Sequence, residues 1–163
     1  MKNKLKLYHG SNCNFETVDL SKAKDKRDFG KGFYLTTLQN QAKEWAEILF
    51  ARFGGDGVFV YEFELEIKND LHIKQFDGVS EDWLIFIQNN RVKGGIQHDF
   101  DIIQGAVAND KTNRTLALFV AGIYTPKEAM KKLRSSKLND QLSIHNEKAL
   151  ACLKLINKVV YGN

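Results

Sequence analysis

Asp28-Phe29-Gly30-Lys31-Gly32-Phe33-Tyr34-Leu35-Thr36-Thr37, running on into Gln41-Ala42-Lys43-Glu44-Trp45-Ala46, decides how the rest of this chain reads. Gly30 and Gly32 allow the backbone close to a bound ligand, or positive φ angles that other residues resist. Phe33-Tyr34-Leu35 is a short apolar strand, and Thr36 or Thr37 is placed to cap a helix carrying Ala42, Trp45, Ala46 and Leu49. Tyr34 and Trp45 therefore flank one strand-to-helix junction beside a glycine turn. A flat heterocycle can be sandwiched at such a place, and the same residues can equally form plain core.

On the N-terminal side, Leu5 and Leu7 lead into Tyr8-His9-Gly10-Ser11, a first strand ending in a glycine turn. Residues 12–28 are polar and read as a loop or a short exposed helix. On the C-terminal side, Gly54-Gly55-Asp56-Gly57 ends the helix near Phe53. In Val58–Ile67, Tyr61, Phe63, Leu65 and Ile67 alternate with Glu62, Glu64 and Glu66, so one face is buried and the glutamates are solvated rather than catalytic. Asp82–Arg91 reads as a helix capped by Ser80, with Trp83, Phe86 and Ile87 on one face. Phe100–Ala108 reads as a strand ended by Asn109-Asp110, and Leu116–Gly122 as a helix. Thr125 and Pro126 open another helix, supported by Ala129, Met130 and Leu133. Asp140–His145 is expected to be the last short strand, followed by a terminal helix capped by Asn146 and running through Ala149, Leu150, Leu153 and Ile156. These elements make one α+β domain over residues 1–163.

Composition narrows the function classes. The chain has 163 residues, 43% apolar and 27% charged, with a formal net charge of +4. That is one ordinary globular domain, mildly basic, compatible with a nucleic-acid or dinucleotide ligand without demanding one. Cys13 and Cys152 form no CxxC pair, and His98-Asp99 beside Asp101 lacks the further ligands of a metal site, so no metal is expected. Two unpaired thiols, no apolar leader and no membrane-spanning run point to the cytoplasm. A P-loop, a Rossmann fingerprint and a Gly-x-Ser-x-Gly elbow are all missing.

The residues that remain carry a resemblance. Phe29-Gly30-Lys31-Gly32-Phe33-Tyr34 resembles the Phe-Gly-Lys-Gly-Ile-Tyr segment of the poly(ADP-ribose) polymerases, and His9-Gly10-Ser11 is similar to their first-strand His-Gly motif. The chain thus resembles the ADP-ribosyltransferase superfamily, in its His-Tyr-Glu branch with the diphtheria-toxin-like enzymes. The wider pattern, through Trp45, Phe100–Asp110 and Asp140–Leu150, resembles a small bacterial family of stand-alone domains, DUF3990, and covers most of the chain.

The resemblance implies an ADP-ribosyltransferase-like split β-sheet core with flanking helices, and NAD as substrate. His9 would hydrogen-bond the adenosine ribose, the Gly10 backbone would hold the nicotinamide carboxamide, and Tyr34 and Trp45 would stack on the ring. Ser11 and Gly32 complete the implied binding set. Ala42 falls where the polymerases usually carry a serine touching the carboxamide. The third catalytic position, a glutamate in the family, is Gln141 here. Glutamine keeps a hydrogen bond to the ribose hydroxyl but loses a charge worth up to ~4 kcal/mol at about 4 Å and an effective dielectric near 20. Chain elongation is therefore not expected; transfer of one ADP-ribose to a nucleophilic acceptor is. Asp140 and Glu147 are the nearby carboxylates, with Glu147 expected in a helix first turn.

The implied activity is an NAD-dependent mono-ADP-ribosyltransferase, a bacterial toxin or toxin–antitoxin or defence component. It would modify a protein or nucleic-acid acceptor and pair with an antitoxin. An NAD glycohydrolase using the same pocket, and a non-catalytic NAD- or ADP-ribose-binding module, are the alternatives. An RNA phosphotransferase of the same superfamily would need arginines lining the pocket, and Arg27, Arg52, Arg91 and Arg114 are scattered along the sequence.

Overall fold

The computed structural model describes residues 3–107, 112–135 and 138–162. Its framework is two sheets packed face to face, with helices on both outer sides. The alternating stretch becomes β3 (Val58–Glu66), the centre of a three-stranded antiparallel sheet between β1 (Lys4–Ser11) and β7 (Leu153–Tyr161). Tyr61, Phe63 and Leu65 turn inward and are almost wholly buried, as the period of two requires.

The second sheet has the order β2-β6-β5-β4, from β2 (Phe33–Leu35), β6 (Asn139–Ile144), β5 (Ile102–Val107) and β4 (Ile73–Gln75). Its central strand β5 is buried on both faces, so successive residues serve different cores. Ile102, Leu142 and Ile144 meet Leu7, Tyr61 and Phe63 of the first sheet. Ile103 on the opposite face packs with Phe29, Trp83, Leu116 and Leu133, under α2 (Glu81–Lys93), α3 (Asn113–Val120) and α4 (Pro126–Arg134). Helix α1 (Gln39–Phe53) lies across β1 and β3. The domain is mixed α+β, as the sequence predicts.

Local signals explain most helix ends. Ser80 Oγ accepts from Trp83 N at α2, and Thr125 and Glu128 form a reciprocal capping box at α4. Gly54 and Gly94 close α1 and α2 with φ of 66° and 72°.

Three expectations need correction. Neither Thr36 nor Thr37 caps α1: Leu38 is the N-cap without a side-chain bond, while buried Thr36 exchanges backbone bonds with Tyr8. The terminal helix is only α5 (Glu147–Leu150), capped by Asn146; the chain then extends as β7. Ala149, Leu150, Leu153 and Ile156 have helical spacing, but Leu153, Leu155 and Val159 find partners along β3, and the ladder wins. Strand β4, too short to show a period, was not expected. Phe100 and Asp101 precede β5, while Ala108, Asn109 and Asp110 lie outside the described residues.

Candidate functional site

Among the described residues the backbones of the two sheets are joined at one bridge, where Tyr8 and Thr36 exchange both bonds at 2.7 and 2.8 Å. Continued antiparallel, the next such pair would be Gly10 with Tyr34. The Tyr34 carbonyl is instead taken by the His9 side chain, through Nδ1 at 2.7 Å. The His9 ring, stacked on Phe33 at 4.1 Å, wedges the strands apart. Backbone groups alternate sides along a strand, so Gly10 turns its N–H and C=O to the same edge as Tyr8, where no backbone partner stands among the described residues.

The opening is a cleft of about 480 Å³, within the range of small-molecule and cofactor sites. His9, Gly10, Tyr34, Trp45 and Gln141 all line it. Tyr34 stands opposite Ser143 in the β2–β6 ladder, so Gln141 is its diagonal neighbour on the same face, roughly 7 Å away by sheet geometry. Ser11 and Gly32 are not among the lining residues. Ser11 Oγ accepts from Cys13 N in the turn after β1. At Gly32 a Cβ would lie 2.6 Å from the Ile144 carbonyl and 2.7 Å from His145, so this glycine serves packing. Gly10 has a packing reason as well, because a Cβ there would collide with the Ala42 carbonyl of α1.

Chemical character follows from the bonds. His9 Nδ1 must carry the proton it gives to Tyr34 O, which leaves Nε2 as an acceptor. Burial of the ring lowers its pKa to about 4, against the carbonyl bond that raises it, and nearby Arg27 lowers it further. His9 is thus neutral at physiological pH and suited to accept from a hydroxyl. The Tyr34 hydroxyl is fully engaged, donating to Gly30 O at 2.7 Å and accepting from Phe29 N at 2.9 Å. Burial pushes its pKa up, so it is a strut for the glycine turn and no proton donor to a ligand. What Tyr34 offers is its ring, over which the Arg27 guanidinium lies 5.1 Å from the centroid.

Sequence reasoning missed the charge of this cleft. Among the described residues, Lys26, Arg27, Arg52 and Arg91 line it, against one lining carboxylate, Asp28. Asp28 Oδ1 is held by Arg91 at 2.5 and 2.7 Å in a largely buried ion pair. Counted over the described residues, the lining side chains carry a net positive charge, the sign that suits a phosphate-bearing ligand. Asp140 and Glu147 do not line the cleft, so neither stands in for a glutamate at position 141.

A pair of histidines fixes the glycine turn from behind. His98 Nδ1 accepts from Phe100 N, so its Nε2–H donates to Phe29 O at 2.8 Å. His145 Nδ1 donates to Lys31 O at 2.9 Å, and Ser143 Oγ lies 2.6 Å from its Nε2. That serine–histidine contact has nucleophile–base geometry, but Ser143 is wholly buried and serves the sheet. Asp101 accepts from His72 N and Asn146 Nδ2. No group of residues suited to hold a metal occurs among the described residues.

Fold and site define a class: a small α+β domain with a cationic, aromatic-walled cleft where two sheets diverge. The chain belongs to the family described as "Protein of unknown function (DUF3990)", whose pattern matches residues 5–155. No curated protein and no solved structure matches it. Among the described residues, no helix is long and apolar enough to cross a membrane.

Proposed function

We propose that this protein is an NAD-dependent mono-ADP-ribosyltransferase of the ADP-ribosyltransferase superfamily and that the cleft is its NAD site. The observation carrying this reading is convergence: residues from three separate stretches, His9 with Gly10, Tyr34 with Trp45, and Gln141, line one cleft of suitable volume. The N–H and C=O of Gly10 suit a carboxamide, which offers a carbonyl acceptor and an amino group that donates. Nε2 of neutral His9 suits a ribose hydroxyl, and the cationic rim suits a pyrophosphate.

In the reaction the glycosidic bond between ribose and nicotinamide breaks, and its electron pair neutralises the departing pyridinium. The oxocarbenium-like ribose carbon then bonds to a lone pair of the acceptor, whose proton passes to solvent. Gln141 supplies an uncharged hydrogen-bonding group beside that carbon. With no carboxylate there to stabilise the developing cation or act as base, slow transfer to an intrinsically nucleophilic acceptor fits best. A toxin role with an antitoxin partner belongs to the same reading; expression of wild type should then slow growth, and Tyr34→Ala should relieve it.

Incubation with NAD labelled on the adenosine side tests the activity. Released nicotinamide with labelled macromolecule supports transfer, and nicotinamide with only free ADP-ribose supports the glycohydrolase. Binding without turnover leaves a binding module. One observation favours a second reading, an RNA phosphotransferase: Arg27, Arg52 and Arg91 do meet in the cleft. NAD-dependent loss of phosphate from a phosphorylated RNA would select it.

A further inference from the structure

Gln41 has a buried side-chain nitrogen, Nε2, without any hydrogen-bond partner, the one such side-chain atom among the described residues. Gln41 also lines the cleft. Leaving a buried donor unsatisfied is costly, and native structures rarely do so without a functional reason. Its surroundings suggest the reason. It sits in the first turn of α1, one residue before Ala42, whose carbonyl packs directly against Gly10. Trp45 lies one turn further on, at the i+4 position of the same helix face. Gly10, Gln41 and Trp45 all line the cleft, and the Gly10–Ala42 contact sets the start of α1 against β1 there.

We infer that Gln41 is a ligand-contacting residue whose Nε2 donates to the carboxamide oxygen of the nicotinamide ring. This rests on the NAD reading of the cleft and adds to it the residue that reads the ring substituent. An aromatic ring on Trp45 with its carboxamide at Gly10 puts an acceptor oxygen beside the start of α1, and rotation of the Gln41 amide out of its inaccessible position brings Nε2 to it. Gln41 then discriminates a ring bearing a carbonyl from one without it, a discrimination that stacking alone does not provide.

Gln41→Met keeps the side-chain length and helix propensity while deleting the donor. Calorimetric titrations with NAD, with nicotinamide alone and with ADP-ribose, which lacks the ring, give three readouts. The expected result is about tenfold weaker binding of NAD and nicotinamide (about 1.4 kcal/mol), unchanged ADP-ribose binding, and a free-protein Tm equal to or above wild type. Equal binding of NAD by wild type and variant, equal losses for NAD and ADP-ribose, or a lower free-protein Tm would each overturn the inference while leaving the NAD site standing. Failure of wild-type protein to bind NAD would instead sink the underlying reading, and this inference with it.

Discussion

Gln141→Glu is the substitution whose outcome is most tightly tied to the geometry. Gln141 is half-buried on the cleft face of β6, diagonal to Tyr34, and its backbone ladder to Gly105 does not involve the side chain. The change should therefore leave the fold intact and add one negative charge beside the position proposed for the reacting ribose. At about 4 Å the attraction to a developing cation is ~4 kcal/mol for an effective dielectric of 20 and ~1 kcal/mol in bulk water. Partial exposure and the nearby guanidiniums of Arg27 and Arg91 place the gain between these limits, on the order of 2 kcal/mol, or roughly thirtyfold in rate. The assay is initial-rate nicotinamide release at saturating NAD, with NAD affinity measured in parallel. An increase in kcat with little change in Kd supports the assigned position. A folded variant that binds NAD and shows unchanged or slower release would refute the placement of residue 141 beside the bond that breaks.

Two further outcomes follow from the supports of the glycine turn. Burial lowers the His145 pKa from 6.5 to about 4; the unfolded chain then binds a proton at higher pH than the folded one, so stability is full above about pH 6.5 and falls as pH drops towards 4. The loss from His145 alone is about 3 kcal/mol, with His98 adding in the same direction because burial lowers it too; denaturant midpoints between pH 7.5 and 4 should show it, and His145→Gln should flatten the slope. Tyr34→Phe removes the donor to Gly30 O and the acceptor for Phe29 N, so it should cost roughly 1–3 kcal/mol in chemical denaturation while changing NAD affinity less than about threefold, whereas Tyr34→Ala should abolish NAD binding.

The sequence held the short-range part of the site because motif residues announce themselves by type and order. His9-Gly10, Tyr34 and Trp45 lie in two brief stretches, and the structure brings them to one cleft with Gln141, while Gly30 and Gly32 stay outside its lining. The cationic wall was hidden. Lys26 and Arg27 come from a loop, Arg52 from the last turn of α1 and Arg91 from that of α2, and only tertiary packing unites them. The histidine struts were equally silent, since His98 and His145 grip backbone carbonyls and leave no side-chain pattern. β7 was misread because its apolar spacing satisfies a helix nearly as well as a strand, and pairing with β3 decides between them. The orphan donor of Gln41 is a property of three-dimensional burial alone.

The chain has two tryptophans, and their placement gives the most direct measurement. Trp83 is wholly buried with its indole N–H bound to Ala106 O, while Trp45 lines the cleft. Indole emission followed during NAD titration should quench saturably in wild type through ring stacking, persist in Trp83→Phe and vanish in Trp45→Phe. Unchanged emission at millimolar NAD, or a quench that survives Trp45→Phe, would contradict an NAD pocket walled by Tyr34 and Trp45.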